Sequence, residues 1–283
     1  PGGTLWDGKK VTNAAMHGNL WPEIRSGAWQ GSRIKTTILA WHLKRAIKQG
    51  LLGHIDHWLA ISEFMREQFI LAGIPSGKIS TLRHCHSLMP APQPAEQSHY
   101  LFMGRLVAEK GVYALIQAWE QLEKKLGEAC PMLVIAGDGP LKSFIHAAAM
   151  ANPHVKYVGF VTGDTKDMLI KQSKAVMVPS IWWEPLGLTV YDAYSHGRPV
   201  IASKSGALLE IVINKKTGWS YDANDSLNMT QSVIEAEKAG PDGRDQAGLH
   251  GHEWLHSHAS PIVWRNRFIS LCQKVIEEKK SNA

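Results

Sequence analysis

Two carboxylates eight residues apart, Glu184 and Asp192, fall in the stretch Pro179-Ser180-Ile181-Trp182-Trp183-Glu184-Pro185-Leu186-Gly187-Leu188-Thr189-Val190-Tyr191-Asp192. An apolar strand ends near Val178, and a helix opens at about Leu186 and closes at Gly197, which reads as a C-cap. Free N–H groups of Gly187, Leu188 and Thr189 at that helix start suit an anionic group, helped by the positive end of the helix dipole. Eight residues of helix advance about 12 Å, so the two acids can reach well-separated points of one ligand. That separation is comparable to the distance from hexose ring to ribose in a nucleotide sugar. Carboxylates accept from vicinal hydroxyls, so an acid at each end with cations between is a coherent binding chemistry. The plainer reading is that Glu184 caps the helix and Asp192 faces water.

The cations come from Gly104-Arg105-Leu106-Val107-Ala108-Glu109-Lys110-Gly111, just beyond another apolar strand and opening another helix. Glycine lets backbone approach a ligand, and Arg105 and Lys110 stand at the carboxyl end of the strand, where open α/β sheets bind. The element is neither a Walker A loop nor a GxGxxG fingerprint, so anion binding would rest on side chains as much as on backbone. The alternative is a solvated turn. Gly137-Asp138-Gly139-Pro140 marks a third strand-to-helix turn, explained better by a plain connection than by ligand contact.

The elements that must position these groups follow from alternating apolar runs and helical patterns. Strands are expected at 100–103, 132–135, 155–158, 175–178, 199–202 and 218–221, with helices at 111–126, 141–151, 166–172, 187–195, 208–212 and 226–238. This βα alternation predicts an α/β fold with a doubly wound parallel sheet over 99–260. Three prolines alternate within 88–98, as in an extended linker. Residues 1–87 hold a helix at 32–49, a strand at 58–61, a helix at 63–72 and a strand at 79–82. That is at most half of a second α/β lobe, whose sheet edges would be uncovered. Beyond Gly240, residues 242–258 read as a polar, histidine-rich helix. In 261–283 a last helix gathers Ile262, Trp264, Phe268, Leu271, Cys272 and Val275 on one face and must dock, the first lobe being one site.

Composition excludes several classes. The 283 residues carry 31 Lys+Arg against 25 Asp+Glu, a net charge of +6 that favours anionic partners. No apolar run approaches the roughly 20 residues of a membrane span. Cys85, Cys130 and Cys272 are too scattered for a disulfide framework or a zinc site, and no nucleic-acid-binding motif is present. The 32–49 helix mixes Arg33, Lys35, Lys44, Arg45 and Lys48 with Ile34, Ile38, Leu39, Trp41, Leu43 and Ile47. Two placements suit it: lying on an anionic membrane, or packing on a core with a basic outer face. His250, His252, His256 and His258 read as a solvated helix end.

In their order and spacing, the Gly104-Arg105 and Glu109-Lys110-Gly111 element, the Gly137-Asp138-Gly139-Pro140 turn and the Glu184-Pro185-Leu186-Gly187-Leu188 block resemble glycosyltransferase family 4, retaining enzymes of GT-B fold. The resemblance implies a Rossmann-like C-terminal domain plus a partial N-terminal lobe, with a nucleotide sugar in the cleft between them. By motif position, Arg105 and Lys110 would contact the donor diphosphate and Glu184 the transferred sugar, these three being the catalytic set. The donor would also meet Gly104, Gly137, Gly139, Leu186, Gly187, Leu188 and Thr189, with backbone at Gly159 and Val161 near the base. Asp192 falls where the family's second acid contacts ribose, but that acid is usually Glu, which puts this contact in doubt. His84 and His86 flank Cys85 where relatives often have Pro-Asn.

Segments 1–9, 31–33 and 61–66 resemble the later half of the N-terminal lobe in one subgroup. This implies that a glycine-rich loop and an active-site histidine precede Pro1. The alternative, His17 as that histidine and Gly2-Gly3 as that loop, leaves the spacing between them too short. The implied function is transfer from a UDP- or GDP-linked donor to a carbohydrate or lipid-linked acceptor, in cell-surface polysaccharide or glycan synthesis. It would proceed without metal or cofactor, in the cytoplasm or peripherally at the inner membrane face. A nucleotide-sugar-binding module, or a half-enzyme inactive alone, is the alternative. Nucleotide-sugar epimerisation is disfavoured by the Glu184 block.

Overall fold

A computed structural model of the chain describes residue 14 and residues 18–87, 96–223 and 225–281. The expected linker at 88–98 lies mostly outside them, as do the motif at 1–9, Gly2-Gly3 and His17. The chain divides into two units: residues up to His84 together with those from Trp264 onward, and Cys85–Val263.

The first unit contains α1 (Trp21–Ser26), α2 (Arg33–Lys48), β1 (Trp58–Ala60), α3 (Glu63–Leu71) and β2 (Ile79–Thr81). β1 and β2 pair in parallel. Ser32 caps α2 by accepting from Lys35 N–H, and Ser62 caps α3 by accepting from Met65 N–H. Sequence reasoning missed α1, which is only six residues long and opens on Trp21-Pro22. Helix α2 turns Thr36 and Ala40 inward. Its opposite face leaves Ile34 75%, Ile38 53% and Trp41 55% exposed.

The second unit comprises β3 (His99–Met103), α4 (Val112–Leu126), β4 (Met132–Ala136), α5 (Lys142–Ala151), β5 (Val155–Gly159), α6 (Gly163–Lys171), β6 (Ser173–Val178), α7 (Leu188–Ser195), β7 (Val200–Ser203), α8 (Leu208–Ile211), β8 (Gly218–Tyr221), α9 (Ser226–Lys238) and α10 (Gly240–Ala259). Six strands form one sheet in the order β5-β4-β3-β6-β7-β8, every pair parallel. Strands covered by helices on both faces are largely apolar, which explains the unbroken burial of Tyr100, Leu101 and Phe102 in β3. Tyr100, Leu133, Ile135, Met177 and Ile201 form the core with Trp119, whose Nε1–H donates to Pro131 O at 2.8 Å. Helix α6 begins at Gly163, three residues before its expected start.

One expectation for the C-terminal region is corrected. Helix α10 is not a solvated polar helix: it buries Arg244, Ala247, Gly248, Gly251, Trp254, Leu255 and Ala259. A Cβ at Gly248 would collide with the Gly197 carbonyl, and one at Gly251 with the Tyr194 ring, so glycine lets α10 lie directly on the end of α7. The last helix, α11 (Pro261–Ser281), has no buried residue, although Trp264 and Phe268 stack on each other. From Trp264 onward it falls in the first unit, where Lys279 Nζ donates to Asp56 Oδ2 at 2.8 Å, and Trp264, Leu271 and Val275 of its expected docking face are half-buried.

Candidate active site

Strand order reverses between β3 and β6. Their carboxyl ends open onto a hollow of about 340 Å³, counted to its open mouth and lined in part by Gly104, Lys110, Ser180, Glu184, Gly187 and Thr189. Switch points of this kind are where open parallel sheets take ligands, because the flanking loops diverge there and leave space.

Two loops, after β3 and β6, build the rim, and the loop after β4 braces them. After β3, the chain makes a short 3-10 turn at Ala108–Lys110 and enters α4 through Gly111 at φ 73°. Only glycine fits there, since a Cβ would overlap the Pro179 carbonyl in the loop after β6. Ile181 N–H donates to Glu109 O at 2.9 Å, a second tie between the same loops. The loop after β4 joins at Gly137, where a Cβ would overlap the Gly104 carbonyl, and Leu106 N–H donates to Asp138 O at 2.9 Å. This backbone approach accounts for Gly137 without a ligand.

These ties hold Lys110 against Glu184. The ammonium Nζ donates to Glu184 Oε1 at 3.0 Å and Oε2 at 2.8 Å. Ser180 Oγ and Trp182 Nε1 each donate to Oε2 at 2.9 Å. The Trp182 ring centroid lies 5.3 Å from Lys110 Nζ, within cation–π reach. With side chains 24% and 11% exposed, Lys110 and Glu184 form a partly desolvated pair, stronger than a surface ion pair. Gly187, at φ 82°, is the N-cap of α7, so the helix starts at Leu188 rather than at Leu186 or Gly187. The amides of Leu188 and Thr189, which precede the first intrahelical acceptor, are available to an anion, whereas Val190 N–H already donates to Gly187 O at 2.9 Å.

Of the residues singled out in the sequence, Gly104, Lys110, Glu184, Gly187 and Thr189 share the hollow. Arg105 is exposed, and its guanidinium has no partner among the described residues. Gly137, Gly139, Gly159, Val161, Leu186, Leu188 and Asp192 are not among the lining residues. Asp192 does not face bulk water: its Oδ2 accepts from Lys166 Nζ at 2.8 Å, and its Oδ1 lies 3.8 Å from His86 Nε2. Burial lowers the His86 pKa, reinforced by Lys166 and His196 and opposed by Asp192. Ser180, Trp182, Lys166 and His86 carried no assigned role in the sequence. Ser180 and Trp182 lie four and two residues before Glu184 in the loop after β6, and that closeness along the chain was the one signal available for them. No three His, Cys, Asp or Glu side chains cluster as a metal site among the described residues.

Fold and site together define a doubly wound parallel α/β domain with a paired cation and carboxylate at its switch point. The chain belongs to the glycosyl transferases group 1 family, whose profile matches residues 90–248. An uncharacterized glycosyltransferase of Methanocaldococcus jannaschii is 35% identical over 133 residues, 46% of this chain and 33% of that protein. The glycogen synthase of Mycobacterium tuberculosis is 31% identical over 147 residues, 51% of this chain and 34% of that protein. The chain thus matches about a third of the length of these relatives.

Among solved structures, Anabaena HepE in complex with UDP superimposes with a TM-score of 0.67 at 17% identity, covering 77% of this chain and 64% of that chain. A TarM mutant of S. aureus, in complex with fondaparinux, alpha-GlcNAc-glycerol and UDP, gives 0.66 at 20% identity, covering 76% and 43% respectively. The α/β fold, with its Rossmann-like domain, is that of GT-B glycosyltransferases.

Proposed function

We propose that this chain carries the donor site of a retaining glycosyltransferase that moves a hexose from a UDP- or GDP-linked donor to a carbohydrate or lipid-linked acceptor, without metal. The observation that carries this reading is the Lys110–Glu184 pair at the switch point, beside the amides opening α7. The structural neighbours named above hold UDP, and one relative is a GDP-mannose-dependent mannosyltransferase of Mycobacterium tuberculosis acting on phosphatidylinositol monomannoside.

In this reading the diphosphate lies between Lys110 and the start of α7, with Arg105 swinging in from solvent. Two protons of the Lys110 ammonium serve Glu184, and the third is available to a phosphate oxygen. As the anomeric C–O bond breaks, negative charge grows on the departing phosphate, where preorganised donors stabilise it most. The acceptor oxygen bonds to the anomeric carbon on the same face, and its proton passes to the departing phosphate. Glu184 holds sugar hydroxyls and does not attack. Asp192, neutralised by Lys166, contacts the ribose through the oxygen nearer His86. Calorimetry of the chain with UDP, GDP and ADP and with UDP-glucose, GDP-mannose and ADP-glucose tests the reading. Binding of one base series is expected, and failure of all six to bind refutes it.

The outward stripe of α2 adds a proposed partner at the inner face of an anionic membrane. Ile34, Ile38 and Trp41 follow helical spacing, and Arg45 lies 5.5 Å over the Trp41 ring. Arg33, Lys35, Lys44 and Lys48 complete a helix with no acidic residue. An apolar strip edged by cations suits the boundary between acyl chains and anionic headgroups. No described helix is long and apolar enough to cross a membrane. The chain should sediment with phosphatidylglycerol-containing vesicles and not with pure phosphatidylcholine, and Trp41→Glu should abolish the association. Equal behaviour with both vesicles removes this partner.

A further inference from the structure

The two carboxylate oxygens of Glu184 are not equivalent. Oε2 accepts three hydrogen bonds, from Lys110 Nζ, Ser180 Oγ and Trp182 Nε1, whereas Oε1 accepts one, from Lys110. A carboxylate oxygen offers about two lone-pair positions, so Oε2 is saturated and Oε1 retains a vacant acceptor position. The donors to Oε2 are themselves braced by the last residue of β7 and the segment after it. Ser203 Oγ donates to the Ser180 carbonyl, Ser205 Oγ to the Trp182 carbonyl, and Ala207 N–H to the Glu184 carbonyl at 2.8 Å.

The Trp182 side chain therefore does two things: its indole N–H fixes Oε2, and its ring face lies by the Lys110 ammonium. Removing that N–H would let the carboxylate rotate about its terminal torsion, which is broad and weakly restrained on its own.

We propose that Trp182 and Ser180 are positioning residues that commit Oε2 to the protein and so dedicate Oε1 to the hydroxyls of the donor sugar. The proposal rests on the reading of Glu184 as the sugar-holding acid. It makes the protein's preference for a nucleoside diphosphate hexose over the bare nucleoside diphosphate depend on two groups that themselves bind no sugar.

The test is that preference, the ratio of the two dissociation constants, measured by calorimetry with whichever of UDP/UDP-glucose, GDP/GDP-mannose or ADP/ADP-glucose binds the wild-type chain. Trp182→Phe keeps a ring beside Lys110 and deletes the N–H. It should lower the preference by about threefold to tenfold, the worth of one hydrogen bond, with bare diphosphate affinity within about twofold. Ser180→Ala should act in the same direction, and Ser180→Thr, which keeps the hydroxyl, should restore the preference. A merely structural role would weaken both ligands together and leave the ratio unmoved, which overturns the proposal. Glu184→Gln separates the two levels. If it leaves the ratio unchanged, the sugar-holding role of Glu184 fails. If it lowers the ratio while Trp182→Phe and Ser180→Ala do not, only the positioning role fails. Absence of binding by all three pairs overturns both.

Discussion

Lys110→Ala should weaken nucleoside diphosphate binding by about tenfold to a hundredfold in calorimetry at fixed ionic strength. Hydrogen bonds to charged groups contribute about 1.5–3 kcal/mol, and about 1.4 kcal/mol is a factor of ten. A second loss adds to the first. Without the ammonium, the Glu184 carboxylate keeps its donors Ser180 and Trp182 but loses its counter-charge, leaving a mostly buried negative group beside an incoming dianion. The double variant Lys110→Ala/Glu184→Gln should therefore recover part of the affinity, and a thermodynamic cycle over the four proteins reads the coupling directly. Affinity within about twofold of wild type in the single variant would remove Lys110 from the diphosphate site. Arg105→Ala should have the smaller effect of the two cations, because the exposed guanidinium must first be immobilised.

The second large effect is structural. Gly111→Ala puts a methyl group onto the Pro179 carbonyl at a residue with φ 73°, so both overpacking and backbone strain apply. Together these cost about 2–4 kcal/mol. Gly50→Ala is the matched control: φ 81° and ψ 16° nearly repeat the 73° and 22° of Gly111, but no heavy atom lies within 4 Å of the added carbon, so only the backbone cost of about 1 kcal/mol remains. Chemical denaturation of the two variants should separate them by at least about 1 kcal/mol. Equal midpoints would mean that the loops after β3 and β6 yield freely and do not hold Lys110 in place.

The sheet was legible because strands buried on both faces leave unbroken apolar runs, as in 100–103 and 175–178. All six strands of the second unit lie within two residues of their expected bounds at either end. Helix α10 was misread because its closest approaches to α7 are made by glycine, which has no hydrophobic signature. Gly248 and Gly251 look like helix breakers and act as points of close approach. Residues brought together in the hollow were visible because each follows a strand or opens a helix. Their partners were not, because Lys110 and Glu184 are 74 residues apart, Lys166 and Asp192 are 26 apart, and no local pattern encodes either pairing. Asp192 shows the limit of spacing arguments. Its place on α7 was readable, but Glu184 stands in the loop before the helix starts at Leu188, so the helical advance expected between the two acids does not apply, and the ammonium occupying Asp192 was not readable either.

The seating of α10 on the end of α7 has a consequence for how this chain tolerates change. Helix α7 begins at the hollow and finishes against Gly197, where Gly248 leaves no room for a methyl group. Variation at a remote helix that supplies none of the lining can thus shift the alignment of the opening amides, so evolutionary constraint on the ligand's berth should extend to small residues far along the sequence.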